Sequence, residues 1–293
     1  MEKAILKTLI YANIFDYPLK GYEIHKWLIK KNGSLTKVEN GLKKLLDRKK
    51  IENERGYYFL LRKKDLVLKR KRKERQSEIY FQKAKIFGQF LKIIPWIKLM
   101  GISGGLALNN ADKKDDIDLF IITGSNRLWL SRLFLIFLLD IFGIRRKVTT
   151  SSSKVSGKLC LNTILEQDFL EQKFKDIFVA HEVLQMKVLW ERDGVYGKYL
   201  EDNNWAFKFL PNWIGQETSL RGVKRRSNLF SVRKSLLINN EIATPFGLAM
   251  TLERIAKWLQ LKIMQKPKGL ERIEEGALYF YPKDCREKIL NLY

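Results

Sequence analysis

Two aspartates, Asp116 and Asp118, stand one residue apart at the start of an apolar run, and a glycine pair, Gly104 and Gly105, precedes them. Alternate residues of a strand share a face, so both carboxylates point the same way, with Cα atoms about 7 Å apart. Two carboxylates this close repel each other unless a cation lies between them. A hard divalent metal such as Mg²⁺, which binds carboxylate oxygens and substrate phosphates, meets that need.

The glycine pair predicts the opposite side of the same pocket. Gly104 and Gly105 end an apolar run and open the segment GLALNNA, which is typical of a brief helix. Glycine lets the backbone approach a ligand closely, and a turn that enters a helix presents N–H groups to phosphate. We therefore expect the backbone here to face phosphates across from the carboxylates.

The elements that must position these residues predict a small mixed sheet in an α+β fold. WIKLMGI and DIDLFIIT have the pattern of strands on either side of the short helix, and KLCLNTIL (158–165) that of a further strand. The apolar segment 128–144 predicts a buried helix, because Arg132 and Asp140 interrupt a run too short for a bilayer. FKDIFVAHEVLQMKVLW predicts a helix of about five turns.

This arrangement resembles the signature of the DNA polymerase beta-like nucleotidyltransferase superfamily, in which an apolar strand ends in Gly followed by Gly or Ser, and a short helix leads to Asp-x-Asp in a second strand. The matching residues are Gly104-Gly105 and Asp116-Ile117-Asp118, and the resemblance covers residues 96–190. It implies transfer of a nucleoside monophosphate from a nucleoside triphosphate to a hydroxyl or similar acceptor, with release of pyrophosphate.

The resemblance also implies the site residues. Asp116 and Asp118 would be catalytic and would hold Mg²⁺, usually two ions, while Ser103, Gly104 and Gly105 would line the nucleoside triphosphate. Many members carry Ser at the second glycine and a third acidic residue on a later strand. In this chain the candidates for that third position are Asn162, where an acid is expected, Glu166 near the strand end, and Glu182 on the following helix. His181 and Cys160 are interpreted as packed residues.

Residues 1–61 predict a winged-helix-like domain, because three short helices precede a hairpin that turns near Asn53–Gly56. Ser34 is the expected N-cap of the third helix. In a winged helix that helix reads nucleic acid, and its exposed face would offer Thr36, Lys37, Asn40, Lys43 and Lys44. The alternative is a helical module that packs against the rest of the chain or a partner. The whole chain also resembles a group of bacterial proteins that have an N-terminal winged helix and a helical C-terminal region.

The net charge of +24, from 56 basic and 32 acidic residues, favours a polyanionic partner. Residues 62–95 predict a basic linker helix, and 62–75 hold nine basic and two acidic residues, a net charge of +7. Its candidate nucleic-acid contacts are Lys69, Arg70, Lys71, Arg72 and Lys73. The alternatives are a solvated charged face and a lysine-rich composition inherited from an AT-rich genome.

The remaining region, 191–293, is predicted to be helical, with a last helix that begins near Pro282. Trp205, Trp213 and Trp258 would wall an acceptor pocket if the enzyme modified small molecules, as aminoglycoside nucleotidyltransferases do; a packed core is the alternative. Two distant cysteines and an N-terminus without a cleavage site predict a reduced, cytoplasmic protein without a membrane partner.

The sequence therefore supports two candidate functions. The first is a Mg²⁺-dependent nucleotidyltransferase whose acceptor the residues do not identify. The alternative is a regulatory protein that binds nucleotide and nucleic acid but is catalytically impaired, because Asn162 stands where a carboxylate is expected. Asn cannot act as a base and is a weaker Mg²⁺ ligand than a carboxylate.

Overall fold

A mixed α/β architecture is seen in the computed structural model, which describes residues 1–61, 65–147, 155–213, 246–264, 270–281 and 286–290. The chain begins with three helices and three short strands. The helices are α1 (Glu2–Ile14), α2 (Gly21–Lys26) and α3 (Leu35–Asp47), and the strands are β1 (Leu19–Lys20), β2 (Ile51–Glu54) and β3 (Tyr57–Leu60). The strands form an antiparallel sheet in the order β1-β3-β2. The expected cap is present, since Ser34 Oγ accepts a hydrogen bond from the Lys37 N–H at 3.4 Å.

Helix α4 (Leu66–Phe90) then leads to the second and larger sheet. The predicted linker is thus helical over this range, while Arg62–Lys64 lie outside the described residues. Its buried positions include Val67, Ser77, Tyr80 and Ala84, so one side of the helix is packed against the protein.

The larger sheet has six strands in the order β7-β4-β5-β6-β9-β8. They are β4 (Ile97–Ile102), β5 (Ile117–Thr123), β6 (Leu159–Glu166), β7 (Lys187–Glu191), β8 (Leu270–Glu274) and β9 (Ala277–Tyr281). Strands β5 and β6 are parallel, and each of the other neighbouring pairs is antiparallel. The described helices around it are α5 (Gly104–Ala107), α6 (Leu128–Ile141), α7 (Ile177–Gln185), α8 (Val195–Asp202), α9 (Ala206–Phe209), α10 (Phe246–Ile263) and α11 (Arg286–Leu290).

Two sequence predictions are wrong in this part of the chain. The five-turn helix ends at Gln185, and strand β7 follows it at the sheet edge. The C-terminal region is only partly helical, because 270–274 and 277–281 form a hairpin that pairs with β6. KVLWE and ALYFY each contain at least three consecutive apolar residues, and periodicity alone does not distinguish so short a run from part of a helix. Pro282 and Cys285 lie outside the described residues.

The sheet is buried on both faces by alternate residues of its strands. Ile117, Leu119 and Ile121 pack into the core under α6, whereas Phe120 and Ile122 pack into the core that contains α7. The front module joins this second core, because Tyr11 stacks on His181 with ring centroids 4.0 Å apart. Backbone and side-chain hydrogen bonds fasten it further, including Tyr17 to the Leu108 carbonyl, the Lys30 N–H to the Phe209 carbonyl, and the Gly33 N–H to Asn212 Oδ1.

Within the described ranges no helix combines the length and apolar character that crossing a bilayer would require.

Arg70 is buried inside the protein, which corrects its prediction as a nucleic-acid contact. Its guanidinium lies 2.9 Å from Glu23 Oε1 and 2.7 Å from Glu74 Oε1. It also covers the ring of Tyr17 at 3.7 Å and donates to the Pro18 carbonyl. Arg70 therefore connects α4 to the front module and has no free face for a phosphate.

We expect Arg70→Met to lower the free energy of unfolding by about 3 kcal/mol, because it leaves the largely buried Glu23 carboxylate without its partner. Urea denaturation followed by circular dichroism measures the change. Arg72→Met is the matched control: Arg72 is exposed on the same helix, so its removal should change stability by less than about 0.5 kcal/mol. Equal effects of the two substitutions would contradict the structural role of Arg70.

Candidate active site

Strand β5 presents the two aspartates at its N-terminal end. Asp116 directly precedes the strand and Asp118 is its second residue. By alternation they lie on the face of Phe120 and Ile122, away from the core that holds Ile117. Both side chains are partly exposed. The sequence prediction that the pair shares one face thus agrees with the packing of the strand.

The glycine corner lies directly against the second carboxylate. Gly104 has a φ of +63°, and a Cβ atom there would lie 2.6 Å from Asp118 Oδ2. The N–H of Ser103 donates to the backbone carbonyl of Asp118 at 3.0 Å. Gly105 is exposed at the start of α5. The positive φ favours glycine at 104, and the glycine corner lies directly beside the Asp118 carboxylate.

The group next to the carboxylates on β6 is a thiol. Asp118 and Cys160 are paired across the parallel strands. Ligand atoms of Asp116, Asp118 and Cys160 all lie within 4.8 Å of one another. Burial and the negative charges of Asp118 and Asp116 raise the pKa of the Cys160 thiol. A sulfur atom thus stands beside the carboxylates, two residues before Asn162, where the resemblance implies a third acid.

Asn162, the expected third-acid position, is displaced from the pair. The register of β5 against β6 shifts there, so that Leu119 pairs with Leu161 but Phe120 pairs with Thr163. The Asn162 amide nitrogen donates to Ser103 Oγ at 3.4 Å. Its Oδ1 is buried and has no hydrogen-bond partner among the residues that the structure describes. Asn162 borders the glycine corner, whereas Cys160 borders the carboxylates.

Glu166 is wrong as a third acid, because it lies at the other end of β6. It pairs with Thr123, five residues along β5 from Asp118, which is a distance of about 16 Å. Its Oε1 accepts a hydrogen bond from the Leu128 N–H at 3.3 Å. The Glu166 carboxylate therefore stabilises the first turn of α6 rather than the site.

Glu182 on α7 is the remaining third-acid candidate, and it is not among the ligand atoms that cluster with Asp116 and Asp118 in the described residues. The pKa of Asp118 is raised mainly by burial, then by the negative charge of Asp116, and then by the negative charge of Glu182. Burial raises the pKa of Glu182 itself to about 7. A hydrogen bond that Gln185 Nε2 donates to Glu182 Oε1 acts in the opposite direction and lowers this pKa. A carboxyl group with this pKa can accept a proton near neutral pH.

Arg146 is a site residue that the sequence analysis missed. Its Nη1 lies 3.0 Å from Asp116 Oδ2 and donates to Cys160 Sγ at 3.6 Å. The side chain reaches the site because the Arg146 N–H is bonded to the Leu159 carbonyl, beside the start of β6. No local motif marks it, since it follows α6 in sequence and meets β5 only in the folded chain. Arg146 supplies a cation in direct contact with one of the two carboxylates, that of Asp116.

The side chains of Asp116, Asp118 and Cys160 are of chemical types that can bind a divalent cation. Two carboxylates converge within ligand distance, and a buried thiol completes the group. The orphaned Oδ1 of Asn162 is a further oxygen acceptor at the adjoining glycine corner. Carboxylate and carbonyl oxygens are ligands for Mg²⁺.

The remaining predicted residues are divided between surface and core. Exposed positions of the front half are Thr36, Lys37, Asn40, Lys43, Lys44, Lys69, Lys71 and Arg72, and Lys73 is half-buried. Trp205 and Trp213 are buried in the core beside α7. Trp258 is exposed on α10, so the three tryptophans do not build the expected aromatic wall.

A comparison of the chain with models of protein families gave no match, and a comparison with curated proteins gave none either. The site is therefore interpreted from its own geometry.

We expect Gly104→Ala to destabilise the protein by about 1 kcal/mol or more, because alanine is strained at positive φ and its Cβ would press on Asp118 Oδ2. Thermal unfolding measures the shift. Gly105→Ala is the matched control, since a Cβ there meets nothing closer than the Asn110 carbonyl oxygen at 3.6 Å. If Gly104→Ala were tolerated as well as Gly105→Ala, the close contact would be refuted.

Proposed function

We propose that this protein is a metal-dependent nucleotidyltransferase. It would transfer a nucleoside monophosphate from a nucleoside triphosphate to an acceptor and release pyrophosphate. The observation that carries the proposal is the contact between the glycine corner and the carboxylates, in which a Cβ at Gly104 would lie 2.6 Å from Asp118 Oδ2. The carboxylates that would bind metal and the backbone groups that would bind phosphate therefore lie side by side.

The topology around this contact supports the proposal. The antiparallel pair β4–β5, joined through the short helix α5, and the parallel neighbour β6 form a mixed sheet with the acids on its central strand. This order agrees with the strand–Gly-Gly–helix–Asp-x-Asp arrangement of the nucleotidyltransferase superfamily that the sequence resembles. The three helices and antiparallel β1-β3-β2 sheet of the front module likewise have the element order of a winged helix.

Each residue has a distinct task in this proposal. Asp116 and Asp118 would hold the divalent metal, which is Mg²⁺ in the superfamily and neutralises charge that develops on the phosphates. The backbone from Ser103 to Gly105 would orient the triphosphate. Glu182, with a pKa of about 7, would accept the proton of the acceptor hydroxyl.

We expect Asp116→Ala and Asp118→Ala each to reduce transfer by about 100-fold or more, because each removes a charge that stabilises the transferring phosphoryl group. The assay supplies Mg²⁺ and α-phosphorus-labelled ATP, CTP, GTP or UTP with an oligonucleotide bearing a free 3′ hydroxyl, and follows pyrophosphate release. Asp168→Asn is the control, an exposed acid near the opposite end of the sheet. Transfer that persists in the double alanine variant would disprove the assignment.

The pKa of Glu182 predicts the acidic limb of the pH profile. A base must be deprotonated, so kcat/KM should rise as pH increases through about 7 and level off above it. Glu182→Gln should lower the plateau and remove that limb, while the affinity for the triphosphate stays the same. If Glu182→Gln left this limb of the pH profile unchanged, the limb would have to arise from another titrating group.

A second candidate function, nucleic-acid binding by a catalytically impaired regulator, is favoured by the front module. Helix α3 leaves Thr36, Lys37, Asn40, Lys43 and Lys44 exposed, and α4 adds Lys69, Lys71 and Arg72. Exposed lysines on one helix bind phosphates largely without sequence preference. Triphosphate binding without transfer, combined with nucleic-acid binding, would favour this candidate over the first.

We expect the triple substitution of Lys37, Lys43 and Lys44 by Gln to weaken binding to a short DNA or RNA duplex and to reduce the salt slope by about one for each lost phosphate contact. Fluorescence anisotropy across a salt titration measures both. The matched control neutralises three exposed lysines elsewhere, Lys173, Lys175 and Lys198. Equal losses in the two triple variants would show that net charge, rather than the α3 face, carries the binding.

A further inference from the structure

The thiol of Cys160 is placed as a third ligand beside the two carboxylates. Ligand atoms of Asp116, Asp118 and Cys160 lie within 4.8 Å of one another. We propose that Cys160 is a metal ligand and that the site prefers a thiophilic divalent ion of the Zn²⁺ type over Mg²⁺. The inference rests on the proposed metal-dependent function and specifies which ion that function uses.

The position of the thiol is fixed by the sheet. Asp118 pairs with Cys160, and the flanking pairs Ile117–Leu159 and Leu119–Leu161 set the same register. The flanking residues are apolar and pack into the core under α6. Slippage by one residue would expose them, so the thiol is held next to the Asp118 carboxylate.

An independent observation at Asn162 also points to a ligand. This side chain is 4% exposed, and its Oδ1 has no hydrogen-bond partner in the described part of the chain. Its Nδ2 donates a hydrogen bond to Ser103 Oγ. Ser103 directly precedes Gly104, where a Cβ atom would lie 2.6 Å from Asp118 Oδ2. A buried oxygen acceptor without a donor is destabilising unless a ligand or water meets it. Asn162 therefore leaves a buried neutral oxygen without a partner beside the glycine corner that adjoins Asp118.

The guanidinium of Arg146 contacts both the carboxylate of Asp116 and the sulfur of Cys160. One nitrogen, Nη1, lies 3.0 Å from Asp116 Oδ2 and 3.6 Å from Cys160 Sγ. Its side chain is 21% exposed, which leaves it a way out to solvent. A divalent ion would take over the contacts with Asp116 and Cys160, and the thiol would release its proton to solvent. The ion would then face two carboxylates and one thiolate.

This donor set determines the preference among ions. Mg²⁺ takes oxygen ligands and keeps several waters, and a thiolate is a poor ligand for it. Zn²⁺ binds sulfur, nitrogen and oxygen in sites of mixed composition, and soft thiolates select such ions. A carboxylate in place of Cys160 would reverse the preference toward Mg²⁺.

The test titrates the full chain with Cd²⁺, a thiophilic probe that gives an ultraviolet thiolate-to-metal charge-transfer band. We expect the band in the wild type and in Cys285→Ser, which removes the other cysteine of the chain. Cys160→Ser should abolish the band and weaken Cd²⁺ binding by at least about tenfold. Asp118→Asn should weaken both Cd²⁺ and Mg²⁺. Cys160→Asp should bind Mg²⁺ more tightly than the wild type, and circular dichroism checks that each variant is folded.

The outcomes separate this inference from the proposed function. Cd²⁺ binding without a charge-transfer band, or a band that survives in Cys160→Ser, would overturn the role of Cys160 and leave the two-aspartate site standing. If neither Cd²⁺ nor Mg²⁺ bound the wild type and no triphosphate bound either, the proposed nucleotidyltransferase function would fail. Loss of the band in Cys160→Ser together with its retention in Cys285→Ser would support the inference.

Discussion

Electrostatic repulsion between Asp116 and Asp118 is the constraint on which the site depends. Two like charges on one face of a strand, in a partly buried pocket, are unfavourable unless a cation is near. Arg146 meets this need from outside the sheet, at 3.0 Å from Asp116. Strand β5 is paired on both sides, with β4 and β6, and the pairing of Asp118 with Cys160 fixes the backbone from which that carboxylate projects.

Helix α7 connects this pocket to the front module. His181 faces the module, where it stacks on Tyr11, and burial lowers its pKa to about 3, so the ring is neutral. Glu182 is the next residue, and its charge acts on Asp118. The two side chains leave the same turn of one helix. Helix α7 is therefore fixed against the front module at His181, one residue before Glu182.

The sequence was informative where local pattern and fold agree. The glycine corner, the short helix and the Asp-x-Asp strand occur as predicted, because each has its own signal within about 25 residues. The sequence pattern predicts helices where strands β7 and β9 occur, since a short apolar run does not show which strand it will pair with. The position of Glu166 is not predictable from the sequence, because its distance from Asp118 depends on which end of β6 it occupies.

By itself, the sequence determined the chemical types and the shared face of Asp116 and Asp118, since alternation along a strand is a local property. It also determined the need for glycine at the corner. Only the tertiary structure decided which groups complete the site, because Cys160 and Arg146 reach it from two separate segments. Their proximity follows from strand order and helix packing, which no spacing within the sequence encodes.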